Sequence, residues 1–377
     1  MIPKAIAEPL LSVIIPVYRE SKTLGDTLAK LTGSGYPRKE VIVTMDSPSQ
    51  NSRDVVADFS GRVEFDISEE RRGKVAALNK ACSLAKGDVY VFLDSDISLG
   101  SGDILSKIPE KMLDSDIIEM KKVIHTTGIL SKMVYYEYIG IGAADWMISR
   151  RMGRSLGING AAFAIRRETF ERVGGFRRVI SEDLDLGLRS FASGATFRYC
   201  DDIVVHTFAP DGMAGWLAQR KRWAYGTALW FKENYRTILG LVKSRPSTLL
   251  PALLMIFPSL VGFLSGFAFR DVALYDALAL LLLSFPVKAF PVVIFPLLPM
   301  PTAELSALTK FGIATSIGMV VYGMVYYYFS RKLDFDFSPF WFSLYYMVYS
   351  PLWLATMIWG IMRVFVTRQK VDLDWKV

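Results

Sequence analysis

Apolar and polar positions follow two different regimes along this chain. From Leu11 to about residue 210, short aliphatic runs alternate with stretches of helical periodicity. LSVIIPVY, EVIVTMD, RVEFDIS and DVYVFLD read as strands; Ser21–Leu31, Arg53–Phe59 and Lys74–Lys86 read as the helices between them. Apolar strands alternating with helices predict a parallel, doubly wound α/β sheet.

Beyond Arg245 the regime changes. Thr248–Phe269, Ala277–Ala303, Phe311–Ser330 and Phe337–Met362 are long apolar runs, and only Lys288 interrupts them with a charge. A bilayer needs about 20 such residues, so four spans are expected. The second is irregular, because Pro286, Pro291, Pro296 and Pro299 surround Lys288. Lys288 reads either as a cavity-lining charge or as a lysine snorkelling to the interface.

Between the regimes, Met213–Arg236 carries Trp216, Trp223 and Trp230 at seven-residue spacing beside the basic run QRKRW. The pattern suits a helix lying in the membrane interface, or an amphipathic helix packed on a core. The expected division is therefore 1–210 for a catalytic-type α/β domain, 211–246 for interfacial helices, 247–364 for membrane helices and 365–377 for a tail.

Composition agrees with this split. The chain of 377 residues is 51% hydrophobic with net charge +7. Basic residues crowd the approach to the first apolar run (Arg220, Lys221, Arg222, Lys232, Arg236, Lys243, Arg245), which favours an anionic membrane surface over nucleic acid. The bias of basic residues places the α/β domain and tail on the cytoplasmic side of a cell membrane. Cys82 and Cys200 show no ligand spacing and read as reduced thiols. The opening MIPKAIAEPLLSVIIPVYRE leads into a strand and not into a signal-peptide pattern.

Two strands end in carboxylates: Asp46 after VIVTM, and Asp94 and Asp96 after VYVFL. Ligands of open α/β sheets bind outside the carboxyl ends of the strands. An Asp-x-Asp there offers hard oxygens to Mg²⁺ or Mn²⁺, often shared with a diphosphate; a solvated turn is the plainer reading. Neither a P-loop nor a GxGxxG fingerprint accompanies it. SEDLD, at Ser181–Asp185, could equally be a helix start with acidic first-turn residues.

Taken in order, VIIPVYRE, Asp46, RRGKVAALNKA, DSD, GINGAAFAIRRETFERVGGF, SEDLDLGLR and QRKRW span Val13–Trp223. This set resembles the family-two glycosyltransferases with a GT-A domain. It is most similar to their membrane-bound branch with D, DxD, [T/S]ED and QxxRW motifs, as in cellulose and hyaluronan synthases and ceramide glucosyltransferases. The resemblance implies a membrane-integral, inverting transferase that moves a sugar from a nucleotide sugar, expected to be a UDP-sugar, to a polysaccharide. Single addition to a lipid or polyprenyl acceptor is the alternative, and a non-catalytic nucleotide-sugar-binding subunit the third reading.

The same resemblance assigns roles. Asp46 would accept from the nucleotide base, and Lys74 would supply a cation near base or phosphates. Asp94 and Asp96 would organise a divalent metal on the diphosphate, with His206 as a further candidate ligand. Asp183 would be the general base. Arg222 would hold the diphosphate, and Trp223 would stack on the acceptor, with Glu182, Gln219, Asn159 and Gly160 near it. Two departures stand out: a single acidic residue after the second strand, and Ser181 where threonine is usual. The large polysaccharide synthases also carry helices ahead of the domain, which weighs against processive export here; an oligomer is compatible with the pattern.

Overall fold

The computed structural model describes residues 8–100, 103–261 and 303–367. Strands β1 (Leu11–Tyr18), β2 (Lys39–Asp46), β3 (Glu64–Ser68) and β4 (Val89–Leu93) alternate with helices α1 (Leu24–Thr32), α2 (Gln50–Phe59) and α3 (Lys74–Leu84). The chain continues through β5 (Ser98–Leu99), α4 (Ile104–Lys111), β6 (Ile117–His125), α5 (Ile129–Met152), β7 (Ala162–Arg166), α6 (Arg167–Arg172), α7 (Glu182–Ala192) and β8 (Phe197–Phe208).

The strands form one sheet in the order β3-β2-β1-β4-β7-β6-β8-β5. Its first half is parallel, as the apolar strands predict. Its second half is not: β7 runs antiparallel to β4 and β6, and β5 antiparallel to β8. The expected wholly parallel sheet is thus a mixed one. Apolar content specifies that a strand is buried on both faces, not its direction.

Both faces are indeed covered. Ile14, Ile42, Tyr90 and Phe92 enter one core, with α3 and α5. Val13, Ile15, Val43 and Val91 enter the other, with α1 and α4. Alternate residues of one strand supply both cores because successive side chains point to opposite faces.

Helix α8 (Gly212–Ser244) follows, then α9 (Pro246–Ile256), α10 (Ala303–Lys332) and a composite helix α11 (Pro339–Thr367) with two π-helical turns. Four spans were expected. Among the described residues, α11 is the one helix long and apolar enough to cross a membrane. The third expected segment falls on α10, α9 takes in Thr248–Ile256 of the first, and residues 262–269 of the first lie outside the described residues. The second segment and Lys288 lie outside the described residues.

The tryptophan stripe of α8 faces inward. Trp216 is fully buried and donates to the Tyr349 hydroxyl at 2.8 Å, and Trp223 meets Trp353 edge-on. The link between α10 and α11 is pinned to the sheet domain. The buried Lys121 ammonium donates to the carbonyls of Leu333 and Asp334, and Tyr135 and Tyr136 bond the backbone at Asp336 and Ser338. Lys121 thereby satisfies carbonyls that the end of α10 leaves unpaired.

Candidate functional site

Beside the carboxyl ends of β1 and β4 a small cleft opens, lined by Lys74, Leu78, Phe92, Asp94, Gly160, Phe163, Phe176, Glu182 and Asp183. Asp46 closes β2 beside Tyr18 of β1. Its carboxylate is nearly buried and already serves the chain. Oδ2 accepts the N–H groups of Arg72 and Gly73, each at 2.8 Å, and Oδ1 accepts Arg72 Nε at 2.9 Å. Arg72 also pairs with Asp66 at 2.6 Å. Asp46 therefore shapes the loop into α3, and Oδ1 retains capacity for one more donor. Gly73 permits the turn, with φ of 101°.

That loop delivers Lys74 to the cleft, where its ammonium lies 3.0 Å from Asp94 and 3.1 Å from Glu182. Burial works against its charge, but Asp94, Glu182 and Asp183 outweigh it and raise its pKa. Asp94 is anchored by its backbone N–H on the Ala161 carbonyl at 2.8 Å. Asp96, two residues on, is exposed to solvent. The protein mass around it and the charge of Asp94 push its carboxyl up to about 6, against Lys74 and a hydrogen bond from Thr207.

Asp94 and Asp96 thus offer hard oxygens from neighbouring positions, a donor pair suited to a divalent cation whose remaining ligands come from substrate oxygens and water. His206 does not join them. It neighbours Thr207 on β8, so its ring points to the other face, near Gly100. Burial and the charges of His125, Lys121 and Lys30 lower its pKa. Among the described residues no group of three or more His, Cys, Asp or Glu side chains is set to hold an ion.

Glu182 and Asp183 begin α7. The helix-start reading of SED is therefore right about the backbone, although the Ser181 side chain makes no cap. Asp183 Oδ2 accepts Gly160 N–H at 3.1 Å and Oδ1 accepts Leu184 N–H at 2.8 Å. Burial raises the Asp183 pKa, with Lys74 and these two N–H groups opposing the rise. A carboxylate less acidic than usual, in reach of a cleft, is fitted to accept a proton.

Close packing fixes this geometry. A Cβ on Gly187 would lie 2.6 Å from Gly157 Cα and 2.9 Å from Ile158 N. Gly187→Ala should push α7 off the 157–161 loop, costing about 1–3 kcal/mol as overpacking does. Thermal unfolding checks this; an unchanged midpoint would show that the loop gives way freely.

The basic motif on α8 divides in two. Arg222 faces the cleft carboxylates: burial lowers its pKa, while Glu182, Asp94, Asp183 and Asp96 oppose that. Arg220 is fully buried on the far side, 2.5 Å from Glu137 of α5 and 3.1 Å from the Tyr349 hydroxyl. Its guanidinium stacks 4.2 Å from the Trp223 ring centre. Trp223, expected to stack on an acceptor, thus commits one face to Arg220, and the Gln219 side-chain oxygen accepts from Arg220 at 2.6 Å. Asn159 caps its own loop through Ala161 N–H at 3.2 Å. Asn79 holds the backbone of Phe176. Arg72, Glu137 and Arg220 escaped the sequence reading of the site. For Glu137 the signal was a charge inside the apolar run VYYEYIGIG; Arg72 and Arg220 stand among other cations, where residue type alone gives none.

A family model described as glycosyltransferase like family 2 matches residues 8–226. A probable glycosyltransferase of Bacillus subtilis strain 168, YdaM, is 27% identical over 237 residues, covering 58% of this chain and 55% of that protein. A poly-beta-1,6-N-acetyl-D-glucosamine synthase of Staphylococcus epidermidis is 24% identical over 222 residues, covering 57% and 54%. The chain thus spans about half the length of these curated relatives. The mannosyltransferase PcManGT from Pyrobaculum calidifontis, solved in complex with GDP-Man and Mn²⁺, shares the fold with TM-score 0.51. Identity there is 21%, over 82% of this chain and 87% of that one.

Proposed function

Because this chain belongs to glycosyltransferase-like family 2, with a GT-A-like catalytic domain, we propose that it moves a sugar from a nucleotide sugar to an acceptor at the membrane, with inversion. One observation carries the reading: Asp183, held by two backbone N–H groups, shares a cleft with Lys74, Asp94 and Glu182. Asp183 takes the proton from the acceptor hydroxyl as its oxygen attacks the anomeric carbon. The bond from that carbon to the diphosphate breaks on the opposite side, so an α-linked donor gives a β-linked product. Lys74 and Arg222 meet the charge left on the departing nucleoside diphosphate. Asp94 and Asp96 would hold a divalent ion, Mg²⁺ or Mn²⁺, which supplies Lewis-acid neutralisation of that leaving group when bound. The remaining capacity of Asp46 Oδ1 suits the single N–H that uracil presents, which supports a UDP-sugar.

The membrane part of the proposal rests on exposed apolar side chains along α10 and α11, among them Val321, Met324, Leu352, Ile358, Ile361 and Val366. Their number on one pair of helices exceeds what a soluble surface leaves in contact with water. A polysaccharide acceptor is supported by the likeness to the poly-beta-1,6-N-acetyl-D-glucosamine synthase. One observation favours a single addition to a lipid: the tryptophan face of α8 is filled by α11, where a polymer would need room.

Incubating the detergent-purified protein with labelled nucleotide sugars, Mg²⁺ or Mn²⁺ and membrane lipid, then sizing the product, tests both. A ladder establishes a polymerase, and one lipid-soluble product a glycolipid enzyme. No transfer from any donor refutes the proposal.

The pH profile gives a second check. Asp183 works as its anion, and burial raises its pKa, so activity is lost as pH falls through that raised value. The acid limb of kcat/KM should lie above the ~3.9 of an ordinary aspartate. A limb at or below that value would remove Asp183 from the role of base.

A further inference from the structure

A buried charged cluster stands behind the cleft, and the chemistry above does not use it. Glu119 of β6 is 1% exposed and pairs with Lys122 at 2.7 Å. Its other oxygen accepts the backbone N–H of Asn159 at 3.0 Å. Asp145 of α5 also bonds Glu119; burial first, and then the charge of Glu119, push the Asp145 carboxyl well above its ordinary range, so it donates. One residue beyond Asn159, Gly160 turns its own N–H to Asp183 at 3.1 Å. Consecutive amides of one loop therefore point to two different carboxylates, one structural and one in the cleft.

Burying a carboxylate and an ammonium is costly unless every lone pair finds a partner. An apolar strand needs neither group, so their retention at this place calls for a local reason. Anchoring the Ile158–Asn159 peptide, the plane before the one that carries the Gly160 N–H, is such a reason. The Asn159 N–H lies in the 158–159 peptide plane and the Gly160 N–H in the next, and only φ and ψ of Asn159 separate the two planes, so anchoring the first narrows the directions open to the second.

Resting on the reading of Asp183 as the base, we propose that Glu119 is a positioning residue for the reaction: it orients the 157–161 loop so that Gly160 N–H holds Asp183 toward the acceptor. Lys122 and Asp145 hold Glu119 in place. Asp94 meets this loop through the Ala161 carbonyl, one residue beyond Gly160, whereas Asp183 meets it at Gly160 itself, so loss of the Glu119 anchor should affect turnover more than donor affinity.

The test compares two double variants with the parent. Glu119→Gln/Lys122→Met keeps an acceptor for Asn159 N–H without leaving an unpaired buried charge. Glu119→Leu/Lys122→Met removes the acceptor and leaves an apolar pair, a replacement that proteins commonly tolerate. Turnover of the Leu variant should fall about 10- to 100-fold, as for small misplacements of reacting groups, with the donor KM within twofold. Amide hydrogen exchange of 157–161 should rise in that variant, at an unfolding midpoint close to that of the Gln variant. The Gln variant should recover most of the turnover and the protection. Equal turnover in both variants, or faster exchange with unchanged turnover, would overturn the proposal. A parent protein that transfers no sugar would refute the functional reading itself, and the role of Glu119 with it.

Discussion

Asp183→Asn should leave nucleotide-sugar binding within a few-fold and lower turnover by about 10²–10⁴, the usual contribution of a positioned general base. The change is nearly isosteric, but it removes the group that accepts the proton. It also replaces one of two acceptors by a donor, so one of the N–H groups of Gly160 and Leu184 loses its partner. Binding and chemistry can be separated by titrating the purified variant with the nucleoside diphosphate and then measuring initial rates. A variant that transfers sugar at the parental rate would eliminate this assignment. If binding fell as steeply as rate, Asp183 would belong to the donor site.

The second large effect concerns stability. Arg220→Ala should cost about 3–5 kcal/mol, because it strands the Glu137 carboxylate in a dry interior. The partners are 0% and 1% exposed, and the Tyr349 hydroxyl is bonded to both. Glu137→Ala should cost a similar amount. The pair Arg220→Met with Glu137→Leu should cost less than either, since no charge is then left unpaired. Unfolding of the three in one detergent measures this. Strictly additive losses would mean that the two residues act independently. Arg222→Ala, two positions on, should instead reduce diphosphate affinity at nearly parental stability, because its partners are the cleft carboxylates.

That contrast shows what the sequence could and could not convey. QRKRW announces a cluster of cations on a helix, and neighbouring positions on a helix point about 100° apart. Arg220 and Arg222 therefore face opposite sides of α8, and only the packing of α5 and α11 tells which side is the cleft. The carboxylates at Asp46, Asp94 and Asp96 were legible because apolar strands end on them and strand ends carry sites. The half of the sheet from β1 to β4 was legible for the same reason. β6 was not, since Glu119, Lys121 and Lys122 break its apolar pattern although all three are buried. His206 looked like a ligand only while the direction of alternation along β8 was unknown. Asp46 was placed correctly, but its commitment to Arg72 and Gly73 depends on a turn that residue types alone do not encode.

The pinning of the α10–α11 link has a consequence for how such proteins can diversify. Lys121, Tyr135 and Tyr136 reach across about 200 residues of chain to hold backbone groups from Leu333 to Ser338. Exchange of the C-terminal helices for those of a relative would have to reproduce the path of that link, whatever its side chains. Chimaeras joined at the start of α9 should consequently succeed only when the graft restores carbonyls opposite Lys121. Recombination between family members would be filtered at one short loop, remote from the chemistry.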